Sequence, residues 1–189
     1  MKKLLILDLD NTLIRTHPSS ENIVDFLELN IENCNYYVQK RPFVSEFLEF
    51  CLEHFRVAIW SAGKEEYVDK VVSYLFDERK KELVFIWSRE KCTTLTVTFS
   101  FCEPITYYFK RLKKIWKNKS YVSNRKNTLI IDDTPSTYCK NYGNAIRIQP
   151  FWGSYRDNDL IRIRNILLVC KDAQDVRDVP NKIYTTMDD

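Results

Sequence analysis

With 189 residues, of which 44% are hydrophobic and 14% aromatic, the chain can bury the core of one domain and is too apolar to be a disordered segment. The net charge of +3 is too small to predict a nucleic-acid binder. The three glycines leave no glycine-rich phosphate loop, which argues against Walker-type and dinucleotide-binding sites. No apolar run of 18 residues is present, so we expect no membrane contact.

The six cysteines show no paired two-residue spacing, and the chain has only two histidines, which argues against zinc and thioredoxin-like chemistry. The apolar run after Lys2 and Lys3 is too short for a secretion signal, because Asp8 interrupts it. We therefore expect free thiols in an intracellular, soluble protein of the nucleus or the cytoplasm.

Short apolar runs of β type alternate with helical patterns along the chain. In chain order, strands are predicted at residues 4–7, 55–60, 83–87, 128–131 and 145–148. Helices are predicted from Pro42 through Cys51, over residues 64–75 and 105–116, and around Leu160, Ile163, Leu167 and Cys170. Residues 22–39 indicate a small hairpin-like β insertion after the first strand, residues 94–101 an extra strand or ribbon, and residues 171–189 a polar tail.

This alternation predicts an α/β fold with a central parallel sheet covered by helices on both faces. We see no linker or internal repeat, so we expect residues 1–189 to form a single domain.

Polar side chains that could act together follow three of the predicted strands. Asp8 and Asp10 follow the first strand, Ser61 follows the second, and Asp132 and Asp133 follow the strand at 128–131. An ionised acid is costly to desolvate, so packing does not explain acids at the end of a buried strand. Because ligands collect at the carboxyl ends of parallel strands, we expect these side chains to meet.

Taken singly, each of these residues has an ordinary structural explanation. Asp10 or Asn11 could cap a helix, Ser61 could cap the helix predicted from residue 64, and the Asp132-Asp133 pair could cap the turn that follows it. The combination instead favours phosphoryl transfer. Carboxylates suit Mg²⁺, and a hydroxyl with a lysine suits the phosphate oxygens.

Several segments of the sequence together resemble a known family. Residues 8–13 (Asp-Leu-Asp-Asn-Thr-Leu) look like the first motif of the haloacid dehalogenase superfamily. The closer similarity is to the small phosphatases of the RNA polymerase II C-terminal domain, also called the NLI-interacting-factor-like family. It is carried by residues 40–48 (Lys-Arg-Pro-Phe-Val-Ser-Glu-Phe-Leu), 59–63 (Ile-Trp-Ser-Ala-Gly) with Tyr67, 89–92 (Arg-Glu-Lys-Cys), 108–110 (Tyr-Phe-Lys) and 130–135 (Ile-Ile-Asp-Asp-Thr-Pro).

The resemblance implies a Rossmann-like fold of the haloacid dehalogenase type. It also implies a magnesium-dependent protein serine/threonine phosphatase that forms an aspartyl-phosphate, with polymerase C-terminal-domain repeats as one candidate substrate. By this resemblance Asp8 is the nucleophile, and Asp10 is the general acid and then the general base. The insertion at 22–39 corresponds to the family segment that shapes peptide binding.

The same resemblance supplies the binding residues. Ser61 and Lys110 are expected to bind the substrate phosphate, together with Thr12, which would also orient Asp10 and its loop. Arg89 is expected to contact the phosphopeptide. The expected Mg²⁺ ligands are Asp8, Asp132, Asp133 and the carbonyl of Asp10.

The chain departs from the family pattern in two places. Ser61 stands where threonine is usual, and Arg111 and Lys113 stand where acidic and serine residues are usual. The segment before Lys110 is longer than expected, so Lys113 and Lys114 are alternatives to Lys110. These departures affect the identity of the substrate rather than the chemistry.

Two alternative functions stay open. The basic stretch 110–126 is either a solvated face or a surface for an acidic partner, and it keeps a small phosphate ester or a nucleic-acid 3′-phosphate as a possible substrate. The other alternative is a non-catalytic relative that binds phosphopeptides. We expect a phosphoprotein or phosphopeptide partner, no nucleic acid, and a monomer.

Overall fold

The computed structural model of the chain describes residues 1–21, 23–31, 34–99, 102–141 and 143–179. Its strands are β1 (Leu4–Leu7), β2 (Ile14–His17), β3 (Leu27–Ile31), β4 (Cys34–Lys40), β5 (Arg56–Trp60), β6 (Ile86–Trp87), β7 (Thr93–Phe99), β8 (Cys102–Phe109), β9 (Thr128–Asp132) and β10 (Ala145–Arg147). Its α-helices are α1 (Val44–His54), α2 (Glu65–Phe76), α3 (Lys113–Trp116), α4 (Pro135–Tyr138) and α5 (Asp159–Asp172).

The central sheet is parallel and has the strand order β10-β9-β1-β5-β6. Strand β1 lies in the middle, with Leu7 level with Ile59 of β5 and with Ile131 of β9. All four residues of β1 are fully buried, as expected for a strand that is covered on both faces. The predicted parallel α/β fold is therefore confirmed.

The side chains of β1 alternate between two hydrophobic clusters, one on each face of the sheet. Leu5 and Leu7 belong to the larger cluster, which also contains buried residues of α1, α2 and α5. Leu4 and Ile6 belong to the smaller cluster, which contains residues of α3 and α4. Helices thus cover both faces, as predicted.

The insertion after β1 is larger than the predicted hairpin. Strands β2, β4 and β3 form a three-stranded antiparallel sheet in that order, with Ile14 level with Lys40 and Leu27 level with Val38. It therefore begins at residue 14 rather than at residue 22, and residues 22, 32 and 33 lie outside the described part of the chain.

The predicted helix over residues 105–116 is wrong. Residues 102–109 form β8, which pairs with β7 in an antiparallel ribbon, and only Lys113–Trp116 is α-helical. The cross-strand pairs Leu95–Tyr107 and Thr96–Thr106 explain the difference, because aromatic and β-branched side chains favour such pairs. The extra ribbon predicted at residues 94–101 corresponds to β7, with residues 100 and 101 outside the described part of the chain.

Several predicted boundaries also change. Helix α1 begins at Val44, so Pro42 precedes the helix instead of lying in its first turn. The strand predicted at 83–87 is reduced to Ile86–Trp87, although the amide of Val84 still donates to the carbonyl of Val57. At the polar tail, α5 continues to Asp172, and a 3₁₀ turn follows in which Val176 is fully buried.

Cys34, Cys51, Cys92 and Cys139 are free thiols, as predicted. No helix in the described part of the chain is both long and apolar enough to cross a membrane.

A buried arginine joins the loop after β1 to the loop before α5. Arg41 is 1% exposed, and its Nε and Nη2 donate to Asp157 at 2.7 and 2.8 Å. Its Nη1 donates to the carbonyl of Thr12 at 3.0 Å. A lysine carries the same charge but cannot reach both partners, because it lacks the planar fork of donors.

We expect Arg41→Lys to lower the free energy of unfolding by about 2 kcal/mol, since charge-assisted hydrogen bonds are lost from a buried position. Urea unfolding followed by circular dichroism measures this difference. Arg164→Lys is the matched control, because Arg164 is exposed and packs on Phe50. Equal stability of the two variants would show that Arg41 does not fasten the loop.

Candidate functional site

The carboxyl ends of β1, β5 and β9 bring the predicted polar residues to one edge of the sheet. The amide of Asp8 donates to the carbonyl of Ile131 at 3.1 Å, which continues the pairing of β1 with β9 beyond the last strand residue. Asp132 ends β9, and Ser61 follows the last residue of β5. Asp8, Asp132 and Ser61 are all buried, so their polar groups are shielded from solvent.

The loop after Asp8 folds into a tight turn. Asn11 has a positive φ of 55°, a conformation that asparagine adopts more readily than most residues. The amides of Thr12 and Leu13 both donate to the carbonyl of Leu9, at 3.1 and 2.8 Å. The turn places the side chains of Asp8 and Thr12 inside the site and leaves Asp10 at its edge.

Three carboxylates and one ammonium group form the centre of the site. Oxygens of Asp8, Asp132 and Asp133 lie within 4.8 Å of one another. The Nζ of Lys110 donates to Asp8 at 2.5 Å and to Asp132 at 2.7 Å, and Lys110 is 1% exposed. The structure thus brings Lys110 to the carboxylates, although the ribbon of β7 and β8 lengthens the segment before it.

The two alternative lysines lie elsewhere. Lys113 is exposed at the start of α3. Lys114 donates to the backbone carbonyls of Lys91 and Cys92 at 2.8 and 3.1 Å. Among the three candidates, only Lys110 touches the carboxylate cluster.

The charges of the cluster interact strongly because the site is buried. Burial raises the pKa of Asp8, Lys110 counteracts this rise, and the charge of Asp132 adds to it. Burial and the charge of Asp132 also raise the pKa of Asp133 to about 6. Burial disfavours the charge of Lys110, but Asp132 and Asp8 outweigh it and raise the pKa of the ammonium group.

Oxygen donors in this number suit a hard divalent cation such as Mg²⁺, which is held through carboxylates while keeping several waters. A cation would also relieve the repulsion among the three acids and favour their charged forms. The chemistry of Asp8, Asp132 and Asp133 therefore fits a metal site, and Asp10 is not among the carboxylates of this cluster.

The hydroxyl of Thr12 contacts Asp8 and Asp133, at 3.5 and 3.4 Å, rather than Asp10. Asp10 is instead held by two other hydroxyl groups. Tyr67 donates to Asp10 at 2.5 Å and Thr16 donates to it at 3.3 Å, while the two hydroxyls lie 2.6 Å apart.

Burial raises the pKa of both Asp8 and Asp10, but different groups offset the rise, and at Asp8 that group is Lys110. Burial raises the pKa of Asp10, and the hydrogen bonds from Tyr67 and Thr16 partly offset this rise. Burial, with the adjacent charge of Asp10, also raises the pKa of Tyr67, so its hydroxyl stays a donor at neutral pH.

A pocket of about 240 Å³ opens beside Asp10. It is lined by Asp10, Thr16, Ile31, Tyr36, Gly63, Lys64, Tyr67 and Arg89. The Nε of Arg89 is buried and has no hydrogen-bond partner among the described residues. Residues of the insertion sheet and Arg89 therefore line the pocket. Asp10 also lines it, but Asp8, Asp132 and Asp133 of the carboxylate cluster do not.

Ser61 is buried two residues before Gly63, which lines the pocket. Its Oγ accepts a hydrogen bond from the amide of Gly63 at 2.9 Å, so it stabilises the turn after β5 rather than capping α2, which has Lys64 at its N-cap. Gly63 permits the close approach of Tyr67, because an added Cβ would lie 2.8 Å from the ring.

Sequence reasoning missed several residues that hold the site together. Thr16 supports Asp10, and Thr137 donates to Asp132 at 2.8 Å. Asn141 donates to the carbonyl of Lys110 at 2.7 Å. The run of small hydroxyl residues after Asp133 signals Thr137. No local signal identifies Thr16, although its partner Asp10 is only six positions away, or Asn141, whose partner Lys110 is 31 positions away.

Known proteins are similar to most of this chain. A "Probable C-terminal domain small phosphatase" from Dictyostelium discoideum is 29% identical over 178 residues, covering 93% of this chain and 53% of that protein. The human "Carboxy-terminal domain RNA polymerase II polypeptide A small phosphatase 2" is 29% identical over 175 residues, covering 91% of this chain and 58% of that protein. The chain thus spans little more than half the length of these two relatives.

The solved structure titled "The Structure of Fcp1, an essential RNA polymerase II CTD phosphatase" shares the fold. It superposes with a TM-score of 0.62 at 18% identity, covering 89% of this chain and 49% of that one. The profile of the family described as "NLI interacting factor-like phosphatase" matches residues 3–177. As the motifs predict, the chain belongs to the NLI interacting factor-like phosphatase family.

Proposed function

We propose that the chain is a magnesium-dependent protein serine/threonine phosphatase that works through an aspartyl-phosphate. The observation that carries this proposal is the difference between the surroundings of Asp8 and Asp10. Asp8 lies against Lys110 in the carboxylate cluster, whereas Asp10 lines the pocket and is held by Tyr67 and Thr16. Phosphoryl transfer to a carboxylate needs a nucleophile and a separate proton carrier, and these positions suit the two roles.

In the first step, a carboxylate oxygen of Asp8 attacks the phosphorus, and the bond from phosphorus to the serine or threonine oxygen breaks. Asp10 gives its proton to the leaving oxygen. The raised pKa of Asp10 favours the protonated form that this step requires. The products are the free hydroxyl of the substrate and a phosphoryl group on Asp8.

In the second step, ionised Asp10 takes a proton from water, and the water oxygen attacks the phosphorus. The bond from phosphorus to Asp8 breaks and inorganic phosphate leaves. Both carboxyl groups return to their initial states, so Asp10 serves first as acid and then as base.

Asp8, Asp132 and Asp133, with the carbonyl of Asp10, would hold Mg²⁺, which when bound offsets the charge of the phosphoryl group. The ammonium group of Lys110, fixed by Asp8 and Asp132, is placed to meet a phosphate oxygen that approaches Asp8.

A protein substrate is favoured by the pocket beside Asp10, which has room for side chains next to the phosphorylated residue. Relatives named as phosphatases of the polymerase C-terminal domain make its repeats one candidate substrate. The nucleic-acid alternative has less support, because two cations of the basic stretch 110–126 already have other partners: Lys110 is buried against the carboxylate cluster and Lys114 is bonded to carbonyl groups.

Hydrolysis of an aryl phosphate and of a phosphoserine peptide, with Mg²⁺ and with EDTA, tests the proposal. We expect turnover with Mg²⁺, a fall to background in EDTA, and recovery when Mg²⁺ is added in excess. A folded, Mg²⁺-loaded protein that hydrolyses neither substrate but binds the peptide would instead be a non-catalytic relative. Turnover that is unaffected by EDTA would exclude the metal dependence.

Removing the hydroxyl group that positions Asp10 should slow the reaction. We expect Tyr67→Phe to lower kcat about tenfold, because Asp10 keeps only the hydrogen bond from Thr16 and is held less firmly for proton transfer. Steady-state kinetics on the phosphoserine peptide measures this loss.

The control for that variant is Tyr36→Phe. Tyr36 lines the same pocket and its ring lies 6.1 Å from that of Tyr67, yet within the described residues its hydroxyl is not bonded to Asp10. We expect its kcat to stay near that of the wild type. An equal loss in both variants would mean that the pocket, and not the bond to Asp10, controls the rate.

A further inference from the structure

A second hollow, of about 380 Å³, is lined by Arg111, the residue after Lys110, and by Lys113, Lys140 and Asn141. The three cationic side chains are exposed, and none forms an ion pair with a carboxylate in the described part of the chain. Three cations around one hollow without an acid repel one another, so the hollow suits an anion.

The backbone beneath this hollow is held firmly. Asn141 is 3% exposed, and its side chain bonds to the chain on both sides of Arg111. It donates to the carbonyl of Lys110 at 2.7 Å and accepts from the amide of Leu112 at 3.1 Å. The amide of Lys110 also donates to the carbonyl of Thr137 at 2.7 Å. The position of Arg111 is thus fixed relative to the buried site, which lowers the entropy cost of binding.

Lys110 and Arg111 point their charges in different directions. The side chain of Lys110 reaches the carboxylate cluster, and that of Arg111 is exposed at the hollow. Two anions on one extended peptide could therefore meet the two cationic positions at the same time. A phosphoryl group carries close to two negative charges and has three acceptor oxygens, whereas a carboxylate carries one charge and has two oxygens. Three cations therefore suit a phosphoryl group better than a single carboxylate.

We propose that this hollow binds a second phosphoryl group of the substrate, so that the enzyme prefers peptides that are phosphorylated at two nearby positions. The inference rests on the proposed phosphatase function and adds the substrate class. Arg111, Lys113 and Lys140 supply affinity for the second phosphoryl group and take no part in the reaction at the first.

The test compares three peptides that share one phosphoserine. The second position, two to four residues away and up to about 14 Å along an extended chain, carries alanine, glutamate or a phosphonate analogue of phosphoserine. The phosphonate cannot be hydrolysed, because carbon replaces its ester oxygen. We expect kcat/KM for the phosphonate peptide to exceed that for the alanine peptide about tenfold, mainly through KM, since exposed ion pairs contribute modestly.

Two charge-reversed variants give the decisive comparison. In Arg111→Glu/Lys113→Glu we expect the preference for the phosphonate peptide to fall to about one, because the attraction becomes repulsion. Lys117→Glu/Lys119→Glu makes the same change of net charge on exposed residues of the same stretch, outside the hollow. We expect the preference to persist in that control.

A preference that survives in Arg111→Glu/Lys113→Glu, or that both variants lose equally, would overturn the inference. Equal kcat/KM for the glutamate and phosphonate peptides would mean that the hollow binds acidic side chains in general and is not selective for a phosphoryl group. If the first variant loses binding of a single-stranded oligonucleotide while the peptides show no preference, the hollow serves a nucleic acid instead.

Binding separates this inference from the proposed function. A peptide with phosphonates at both positions is titrated calorimetrically into the Mg²⁺-loaded wild type and both variants, without need of turnover. We expect about tenfold weaker binding in Arg111→Glu/Lys113→Glu than in the control variant. If the phosphoserine peptides are not hydrolysed but the difference in binding between the two variants is present, the phosphatase function alone is refuted. If the phosphoserine peptides are hydrolysed but the two variants bind the phosphonate peptide equally, the second site alone is refuted.

Discussion

The Asp8→Asn variant should keep its fold and lose at least about 10⁴-fold in kcat, as expected when the nucleophile of a covalent mechanism is removed. The amide of asparagine fills the same space but cannot form the acyl phosphate. Its stability should stay within about 1 kcal/mol of the wild type, because Lys110 keeps its ion pair with Asp132 while the desolvated charge of Asp8 is removed. Steady-state kinetics and thermal unfolding measure the two effects.

Acid-quenched labelling distinguishes a nucleophile from a residue that only positions the substrate. After reaction with a ³²P-labelled phosphopeptide, the wild type should carry label on the peptide that contains Asp8, and Asp8→Asn should carry none. Asp172→Asn is the matched control, because it makes the same chemical change on an exposed residue of α5. Near-normal activity of Asp8→Asn, or label at another residue, would refute the assignment of Asp8.

The elements that could be predicted from the sequence are those whose signals are local. An apolar run that ends in Asp8 and Asp10 identifies β1 and the edge of the sheet, because only a strand covered on both faces is apolar throughout. The same signal places Asp132 at the end of β9. The meeting of these residues then follows from parallel pairing, which puts their carboxyl ends at one edge.

Other features depend on partners that lie outside the segment itself. Residues 105–109 become a strand because β7 is available to pair with them, and a helical periodicity in one segment carries no information on such a partner. The hydrogen bond between Tyr67 and Asp10 spans 57 positions. The position of Lys110 could be inferred only from the family motif. The ribbon of β7 and β8 lengthens the segment before Lys110, but the ammonium group still lies at the carboxylate cluster.

Lys110→Met should destabilise the protein and change how its stability depends on metal. Lys110 is the buried cation that touches both Asp8 and Asp132, and removing one member of a buried ion pair costs about 3–5 kcal/mol. We expect a loss of this size in EDTA and a smaller one in Mg²⁺, because a bound cation would replace part of the missing charge. Urea unfolding in both conditions measures the difference, with Lys117→Met as the exposed control.

The pH dependence of that loss tests its electrostatic origin. Burial and the charge of Asp132 hold the pKa of Asp133 at about 6, above its ordinary value of 3.8. Ionising a group with a raised pKa costs stability, and this cost appears as pH rises from the ordinary value through the folded one. Without Lys110 the three acids repel one another more strongly, so the deficit of Lys110→Met in EDTA should be larger at pH 7.5 than at pH 5. If the loss of stability is the same at both pH values, its cause is the lost packing of the lysine stem. The carboxylate cluster would then not depend on Lys110 for its charge balance.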